Sequence, residues 1–251
     1  MSEYKKTYLR HKTEMKFLKA LYFNMGEFVH KHREGIPFLM YTAVYLTWFS
    51  ILEQNVIVPK YLIHLSADNH IPFIPQFIIP YELWFPYVLV TVLYLLFTAK
   101  DEYWRVFTFL VTGMTIFLII STLWPNGQDL RPNLIGNEGF FEGWVMQLYR
   151  TDTPTNIWPS IHVYNSLGIE FAIARSEKLK KHKLIKAGSF ILCILIILST
   201  MFLKQHSVFD VGTAIILAVL MYYLVYYMDV IQLVKTSREK KKAEKEYVRK
   251  H

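Results

Sequence analysis

Two residues of this sequence have a spacing that suits nucleophilic chemistry. His206 precedes Asp210 by four residues, so on a helix the two side chains share one face. A carboxylate there can accept the imidazole N–H, fix the tautomer and raise the basicity of the ring. The other ring nitrogen is then free to attack or to take a proton. Taken alone, the pair also fits a capping histidine beside a surface aspartate.

A second histidine, His162, ends the stretch TNIWPSIH. Pro159 suits the first turn of a helix, and Ser160 lies beside it. Free backbone N–H groups at a helix start bind phosphate, and a serine hydroxyl adds a donor. His162 is close enough to protonate an oxygen that leaves the same phosphorus. A Ser/Pro cap with an interfacial histidine is the alternative for this stretch alone.

Further candidate groups for binding phosphate lie nearby. Arg131, followed by Pro132, can offer a planar fork to phosphate oxygens. Lys204, two residues before His206, is a second candidate cation, although a lysine at the end of a span can also be a structural anchor. Neutral donors could come from Asn126, Gln128, Asn156 and Ser199.

The composition indicates that these residues are positioned by membrane helices. Hydrophobic residues make up 53% of the 251 residues and aromatic residues 16%, which suits apolar spans separated by charged loops rather than a soluble domain. The sequence predicts an all-α polytopic fold in which residues 36–234 form a six-span domain. The candidate spans are residues 37–58, 83–99, 106–123, 157–174, 187–203 and 208–234.

Residues 1–35 are predicted to form an amphipathic arm, and residues 235–251 a basic cytoplasmic tail. In the arm, apolar residues recur at helical spacing with lysines between them, which predicts a helix on the membrane surface. A helix packed on the protein's own cytoplasmic face is the alternative. The apolar residues are Met15, Leu18, Tyr22, Met25 and Val29.

The basic residues predict the orientation. With the N-terminus in the cytoplasm, all but four of the 28 lysines and arginines lie on the inner side. We therefore expect an integral protein of the plasma membrane with both termini cytoplasmic and the histidines on the outer side. A nucleic-acid patch is the alternative for such basic runs, but their position beside apolar spans argues against it.

Together, these patterns resemble the type-2 phosphatidic acid phosphatase superfamily. Its motifs are Lys-x6-Arg-Pro, Pro-Ser-x-His and Ser-Arg-x5-His-x3-Asp. The second is intact at residues 159–162, and the third has its histidine and aspartate at the family's spacing from Ser199. The first is half present, at residues 131–132. Trp124 stands where the family has lysine and Thr200 where it has arginine, so two phosphate-binding cations are missing.

The resemblance implies metal-independent phosphoryl transfer. His206 would attack phosphorus and form a phosphohistidine, Asp210 would orient it, and His162 would protonate the leaving alcohol. Ser160 and Arg131 would hold the non-bridging oxygens. The sequence contains neither a two-metal carboxylate cluster nor a His-Glu-x-x-His pattern, and no cofactor is expected.

The resemblance implies a lipid phosphate substrate, held at headgroup depth in the bilayer. The leading function is a phosphatase acting on a phosphomonoester or diphosphate. Because the missing cations suit a less charged phosphate, a phosphotransferase that passes a phosphoryl-alcohol headgroup to an acceptor alcohol is the alternative. A catalytically inactive membrane binding protein is the third. No nucleic-acid partner is expected, and the oligomeric state is open.

The orientation can be tested by cysteine labelling. A cysteine at Asn137 should react with a membrane-impermeant thiol reagent on intact cells, because it lies in a predicted outer loop. A cysteine at Lys181, in a predicted inner loop, should react only after the membrane is permeabilised. The reverse labelling pattern would contradict the predicted orientation.

Overall fold

The computed structural model describes residues 27, 32–56, 58–136 and 139–250. The predicted amphipathic segment around Met15 to Val29 lies outside the described residues. By their internal contacts, residues 1–40 and 41–251 form two units. In the first, Arg33–Gly35 form a 3-10 turn and helix α1 begins at Ile36.

The described residues form eight α-helices. They are α1 (Ile36–Asn55), α2 (Ile78–Thr98), α3 (Lys100–Leu123), α4 (Phe140–Thr151), α5 (Ile161–Arg175), α6 (Lys183–Phe202), α7 (Val208–Tyr222) and α8 (Val230–Lys250). A π-helical segment, Tyr223–Tyr227, extends α7. Short 3-10 turns at Ser66–His70 and Pro75–Phe77 lie in the connection before α2.

Within the described part of the chain, five helical segments are long and apolar enough to cross a membrane, so the protein is an integral membrane protein. They are Arg33–Asn55, Pro75–Thr98, Lys100–Leu123, Lys183–Phe202 and Val208–Tyr227. The remaining predicted span corresponds to α5. With 15 residues, α5 is about 22 Å long, shorter than a hydrocarbon core of about 30 Å. The count of six spans therefore stays a prediction.

Helix α5 is central to the fold, since it packs against α2, α3, α6 and α7. At its start, the Ser160 N–H donates to the carbonyl of Asp210 at 3.4 Å, and at its end Arg175 donates to the hydroxyl of Tyr222. Helix α5 therefore runs alongside α7. Because protein surrounds it, α5 can carry polar residues such as Asn165, which is 1% exposed.

Two glycines allow α3 and α5 to approach closely. Gly113 of α3 lies under the ring of Tyr164, where an added Cβ would be 2.0 Å from a ring carbon. Gly168 of α5 lies under the ring of Phe109, where a Cβ would be 2.5 Å away. The Tyr164 hydroxyl also donates to the Phe109 carbonyl at 2.8 Å. Small residues at such contacts are typical of membrane helix pairs, because they permit van der Waals packing.

A small strand pair joins the loops at one end of the bundle. Strand β1 (Tyr61–Leu62) pairs in parallel with β2 (Asn126–Gly127), and Gly127 forms an isolated bridge with Thr155. The all-α prediction missed these strands, which are too short to show periodicity. The end of the bundle that they close, at residues 126, 160 and 206, is called the site end below.

Other differences from the sequence prediction concern helix ends. The last predicted span, 208–234, is interrupted, because Asp229 has a left-handed φ of 47° and α8 begins after it. Residues 235–250 of the predicted tail are part of α8. Helix α4, in the loop between α3 and α5, was not predicted. Its buried Val145 packs in a cluster with Ile78 and Leu203.

The close contact between α3 and α5 gives a stability prediction. Gly113→Ala should lower the free energy of unfolding by about 1–3 kcal/mol, since the methyl group overlaps a buried ring that cannot move aside. Gly188→Ala in α6 is the matched control, because nothing lies within 4 Å of its added Cβ. Thermal unfolding in detergent measures both. Equal stability of the two variants would contradict the packing described here.

Candidate active site

The catalytic pair of the sequence prediction lies at the junction of α6 and α7. His206 occupies the tight connection between the helices, where its backbone N–H donates to the backbone carbonyl of Thr200 at 3.0 Å. Asp210 follows in the first turn of α7. Nδ1 of His206 is 3.5 Å from Oδ2 of Asp210. This is an ion-pair contact, longer than a normal hydrogen bond, and such contacts often tighten when substrate binds.

The N-terminus of α7 is fixed by two carboxylates. In a capping box, the Ser207 N–H donates to Asp210 Oδ2 at 2.9 Å. Asp68, from the loop before α2, accepts the Val208 N–H at 2.8 Å and the Ser207 hydroxyl at 2.7 Å. Asp68 also accepts the N–H of Leu65 at 2.7 Å and is only 1% exposed. A buried carboxylate at this position satisfies free N–H groups and favours the helix dipole.

His162 faces the catalytic pair from the first turn of α5. The centroids of the His162 and His206 rings are 5.9 Å apart. Two aromatic rings of α2 pack on His162, Tyr81 at 4.6 Å and Trp84 at 4.4 Å between centroids. Its Nδ1 is buried without a hydrogen-bond partner. The structure thus brings both predicted histidines into one pocket, together with Gln205 and Asp152.

Ser160 is the N-cap of α5, so Pro159, which was predicted in the first turn, instead precedes the helix. Its Oγ accepts the N–H of Val163 at 3.4 Å, and the residue is fully buried. Its own N–H donates to Asp210, so the starts of α5 and α7 are directly joined. Ser160 therefore lies beside the catalytic pair, at a helix start that suits an anion.

Arg131 lies at the site end, but most of its donors already have partners. Nη1 donates to the carbonyls of Asp152 at 2.8 Å and Tyr149 at 3.3 Å, and Nη2 donates to Oε1 of Gln205. The guanidinium also lies 4.5 Å from the centroid of the Tyr149 ring. Burial lowers the pKa of Arg131, and the carboxylate of Asp152 opposes that change. The buried Nε has no hydrogen-bond partner.

Lys204 does not contact the catalytic pocket. Its Nζ donates to the carbonyls of Asp68 at 2.8 Å and Ile71 at 2.6 Å. Burial lowers the pKa of its ammonium group, and Asp68 raises it. Lys204 thus anchors the loop before α2 to the connection between α6 and α7, and no contact supports the predicted phosphate-binding role.

The four predicted neutral donors hold the scaffold. Asn126 Nδ2 donates to the carbonyl of Trp124 at 2.8 Å, and its Oδ1 accepts the backbone N–H groups of Ile157 and Trp158. Gln128 Nε2 donates to the carbonyl of Lys204 at 2.9 Å. Asn156 donates to Glu53 at 2.8 Å, and the Ser199 hydroxyl donates within α6. Their predicted secondary role in phosphate binding stays a prediction.

The two departures from the family motifs supply no replacement cation. Trp124 is 48% exposed at the end of α3. Thr200 is fully buried, and its hydroxyl donates to the carbonyl of Ile197 at 2.7 Å. Among the residues that the structure describes, Arg131 is therefore the cation nearest to the site's polar network.

Several site residues escaped the sequence analysis. Gln205 links Arg131 to Asp152, since its Nε2 donates to Asp152 Oδ2 at 3.0 Å. The Tyr81 hydroxyl donates to the same oxygen at 3.3 Å. Burial raises the pKa of Asp152, and Arg131 opposes that rise. The position of Gln205 beside His206 was the one available signal; nothing in the sequence connects Tyr81 with the site.

The comparisons with known proteins agree with the motifs. Residues 127–232 match the family model of the PAP2 superfamily, and this segment contains Arg131, Ser160, His162, His206 and Asp210. No curated protein and no solved structure matches the chain. The match confirms the resemblance to the type-2 phosphatidic acid phosphatase superfamily and supports, at the level of the superfamily, a phosphatase- or phosphotransferase-type function on lipid phosphates.

The contacts of Lys204 change what its substitution should do. Lys204→Met keeps the aliphatic stem but removes both hydrogen bonds to the loop, so we expect the melting temperature to fall by roughly 3–10 °C. A phosphate-binding lysine would instead lower turnover and leave the melting temperature unchanged. Thermal unfolding of the purified variant, with Lys181→Met as an exposed control, separates the two roles.

Proposed function

From the PAP2 superfamily segment at residues 127–232, we propose that the protein hydrolyses a lipid phosphate through a phosphohistidine. The substrate would be a phosphomonoester or diphosphate headgroup. The observation that carries the proposal is the shared pocket of His206, paired with Asp210 at 3.5 Å, and His162. One oriented imidazole and a second nearby imidazole provide a nucleophile and an acid–base group.

In the first step, His206 attacks phosphorus through Nε2, because Nδ1 faces Asp210. The P–O bond to the lipid alcohol breaks, and His162 gives its proton to the leaving oxygen. Asp210 stabilises the positive charge that the His206 ring acquires. The rings of Tyr81, which is stacked on His162, and of Trp84, which is tilted against it, hold His162 in place for this transfer.

In the second step, water attacks the phosphohistidine. His162 takes the proton of that water, the N–P bond breaks, and phosphate leaves. The start of α5, Ser160 and the Nε–H of Arg131 would hold the non-bridging oxygens in both steps. These steps use protein groups alone, so we propose that no metal ion takes part.

A phosphotransferase is the second candidate, in which an alcohol replaces water in the second step. The charge of the site favours it, because Arg131 already binds Gln205 and two carbonyls while Asp152 adds a carboxylate to the pocket. A phosphodiester carries less charge than a phosphomonoester and needs fewer cations. An inactive binding protein, the third possibility, would form no covalent intermediate.

The proposed cellular placement has both termini in the cytoplasm and the site end on the outer face of the plasma membrane. It is supported by basic groups at the opposite end of the bundle. There, Arg105 pairs with Asp229 at 2.6 Å, and Arg175 donates to Tyr222.

The roles of the histidines can be separated with a substrate that has a good leaving group. His206→Ala should abolish covalent capture of phosphate from any substrate. His162→Ala should lose turnover of a lipid phosphate but keep capture from an aryl phosphate, whose leaving group needs no acid. Capture is measured with radiolabelled phosphate. Near-normal turnover by His206→Ala would contradict the assigned nucleophile.

Asp210→Asn tests the orienting carboxylate. The amide cannot stabilise a positively charged imidazole, so we expect turnover to fall by about tenfold to a hundredfold. The amide side chain can still accept the Ser207 N–H, which should preserve the cap of α7. Turnover and thermal unfolding are measured together. Unchanged turnover in a folded variant would contradict the role of Asp210.

A further inference from the structure

One side of the catalytic pocket has a charge that does not suit a phosphate. Residues 152–156, called the 152–156 wall, line the pocket through Asp152, Thr153, Thr155 and Asn156. The wall faces the same space as the two histidines. The direction of its hydrogen bonds indicates which kind of ligand group it can bind.

The donors of the wall point away from the pocket, toward Glu53 of α1. Thr153 donates its hydroxyl and its N–H to Oε2 of Glu53. Asn156 Nδ2 donates to Oε1 at 2.8 Å. Since the hydroxyl hydrogen of Thr153 is used, Thr155 must donate in the 2.7 Å bond between the two threonine hydroxyls. Because an ionised carboxylate accepts hydrogen bonds and cannot donate them, the Nδ2 end of the Asn156 amide must face Glu53.

The wall offers a ligand a hydrogen-bond acceptor. Oδ1 of Asn156 is buried without a hydrogen-bond partner, and the residue is 4% exposed. Buried polar atoms without partners are uncommon and call for an explanation. Asn156 also has a left-handed φ of 53°, a conformation that asparagine adopts more readily than most other residues. A ligand that donates hydrogen bonds would satisfy this side of the pocket.

The net charge of the wall also favours a positively charged ligand. Glu53 and Asp152 place two carboxylates at the wall, and Arg131 is the cation beside them. Lys204 is bound to backbone carbonyls elsewhere. Charges a few ångströms apart interact strongly where little water intervenes. Such a wall repels the second negative charge of a phosphomonoester and attracts a cation.

We infer that the substrate is a phosphodiester lipid whose alcohol headgroup carries a primary ammonium, and that this ammonium binds the 152–156 wall with Glu53 behind it. An ammonium has three donors and no acceptor, which matches the acceptors of the wall. Phe49 and Phe117 also line the pocket, and aromatic faces attract cations. The inference follows the phosphodiester alternative of the proposed function, in place of its phosphomonoester, and rests on its His206 step.

The reaction then keeps the headgroup in place. His206 forms a bond to phosphorus, the P–O bond to diacylglycerol breaks, and the diacylglycerol oxygen takes a proton from His162. The ammonium-bearing phosphoryl group stays on His206 while its headgroup remains at the wall. Next, water or an alcohol attacks phosphorus and gives its proton to His162. The N–P bond breaks, and its electron pair returns to His206.

The test compares three lipids with identical acyl chains in mixed micelles: phosphatidylethanolamine, phosphatidylglycerol and phosphatidate. Phosphatidylglycerol has the same phosphodiester charge but no ammonium. Release of diacylglycerol by the full-length protein is measured for each, with His206→Ala as the blank. We expect phosphatidylethanolamine to react about tenfold to a hundredfold faster than phosphatidylglycerol, the effect of one charge-assisted hydrogen bond.

Glu53→Gln removes the charge behind the wall and should bring the ratio of the two phosphodiester rates close to one. Taking the ratio within one protein sample cancels any loss of folded protein. Asp129→Asn, which removes an exposed carboxylate of the loop after α3, is the matched control and should leave the ratio unchanged.

Each outcome decides the inference. Equal rates for the two phosphodiesters, or a preference for phosphatidate, with turnover that depends on His206, would overturn the ammonium subsite and leave the proposed function standing. Absence of His206-dependent turnover of all three lipids would overturn both. A wild-type preference for phosphatidylethanolamine that Glu53→Gln leaves intact would overturn the assignment of the wall.

Discussion

The carboxylate of Asp68 is the contact on which the catalytic pair depends. It joins the loop before α2 to the first residues of α7 through Ser207 and Val208. Those residues set the direction of α7 and with it the position of Asp210. Lys204 binds the same loop from the other side of His206, so both ends of the connection between α6 and α7 are held. A short connection with buried polar atoms needs such partners, because unpaired groups are costly away from water.

The same constraint explains the network around Arg131. Gln205 is 2% exposed, and its amide binds Arg131 on one side and Asp152 on the other. Asp152 in turn accepts the hydroxyl of Tyr81, whose ring packs on His162. In a medium of low dielectric constant, each polar group of this network needs the next one as its hydrogen-bond partner. The phosphate-binding group and the acid–base group are thereby positioned by one connected set of hydrogen bonds.

Local spacing was enough to predict that His206 and Asp210 lie together, although His206 precedes α7 instead of lying on it. The sequence also predicted a helix start beside Ser160, which the structure places as the N-cap of α5. The sequence could not show that Lys204 turns toward Asp68, since that depends on a loop more than a hundred residues earlier. The 152–156 wall depends on Glu53 in the same way. A helix was predicted at the position of α5, but its short length becomes understandable only through its burial among four helices.

The central claim is a double displacement through His206, and the stereochemistry at phosphorus tests it directly. Each in-line displacement inverts phosphorus, so two displacements restore the original configuration. A lipid substrate made chiral at phosphorus with sulfur and oxygen isotopes would be turned over by the purified protein, and the configuration of the product determined by ³¹P NMR. Retention of configuration is the predicted result. Inversion would mean direct attack on the substrate by water or alcohol, and would contradict a phosphohistidine intermediate.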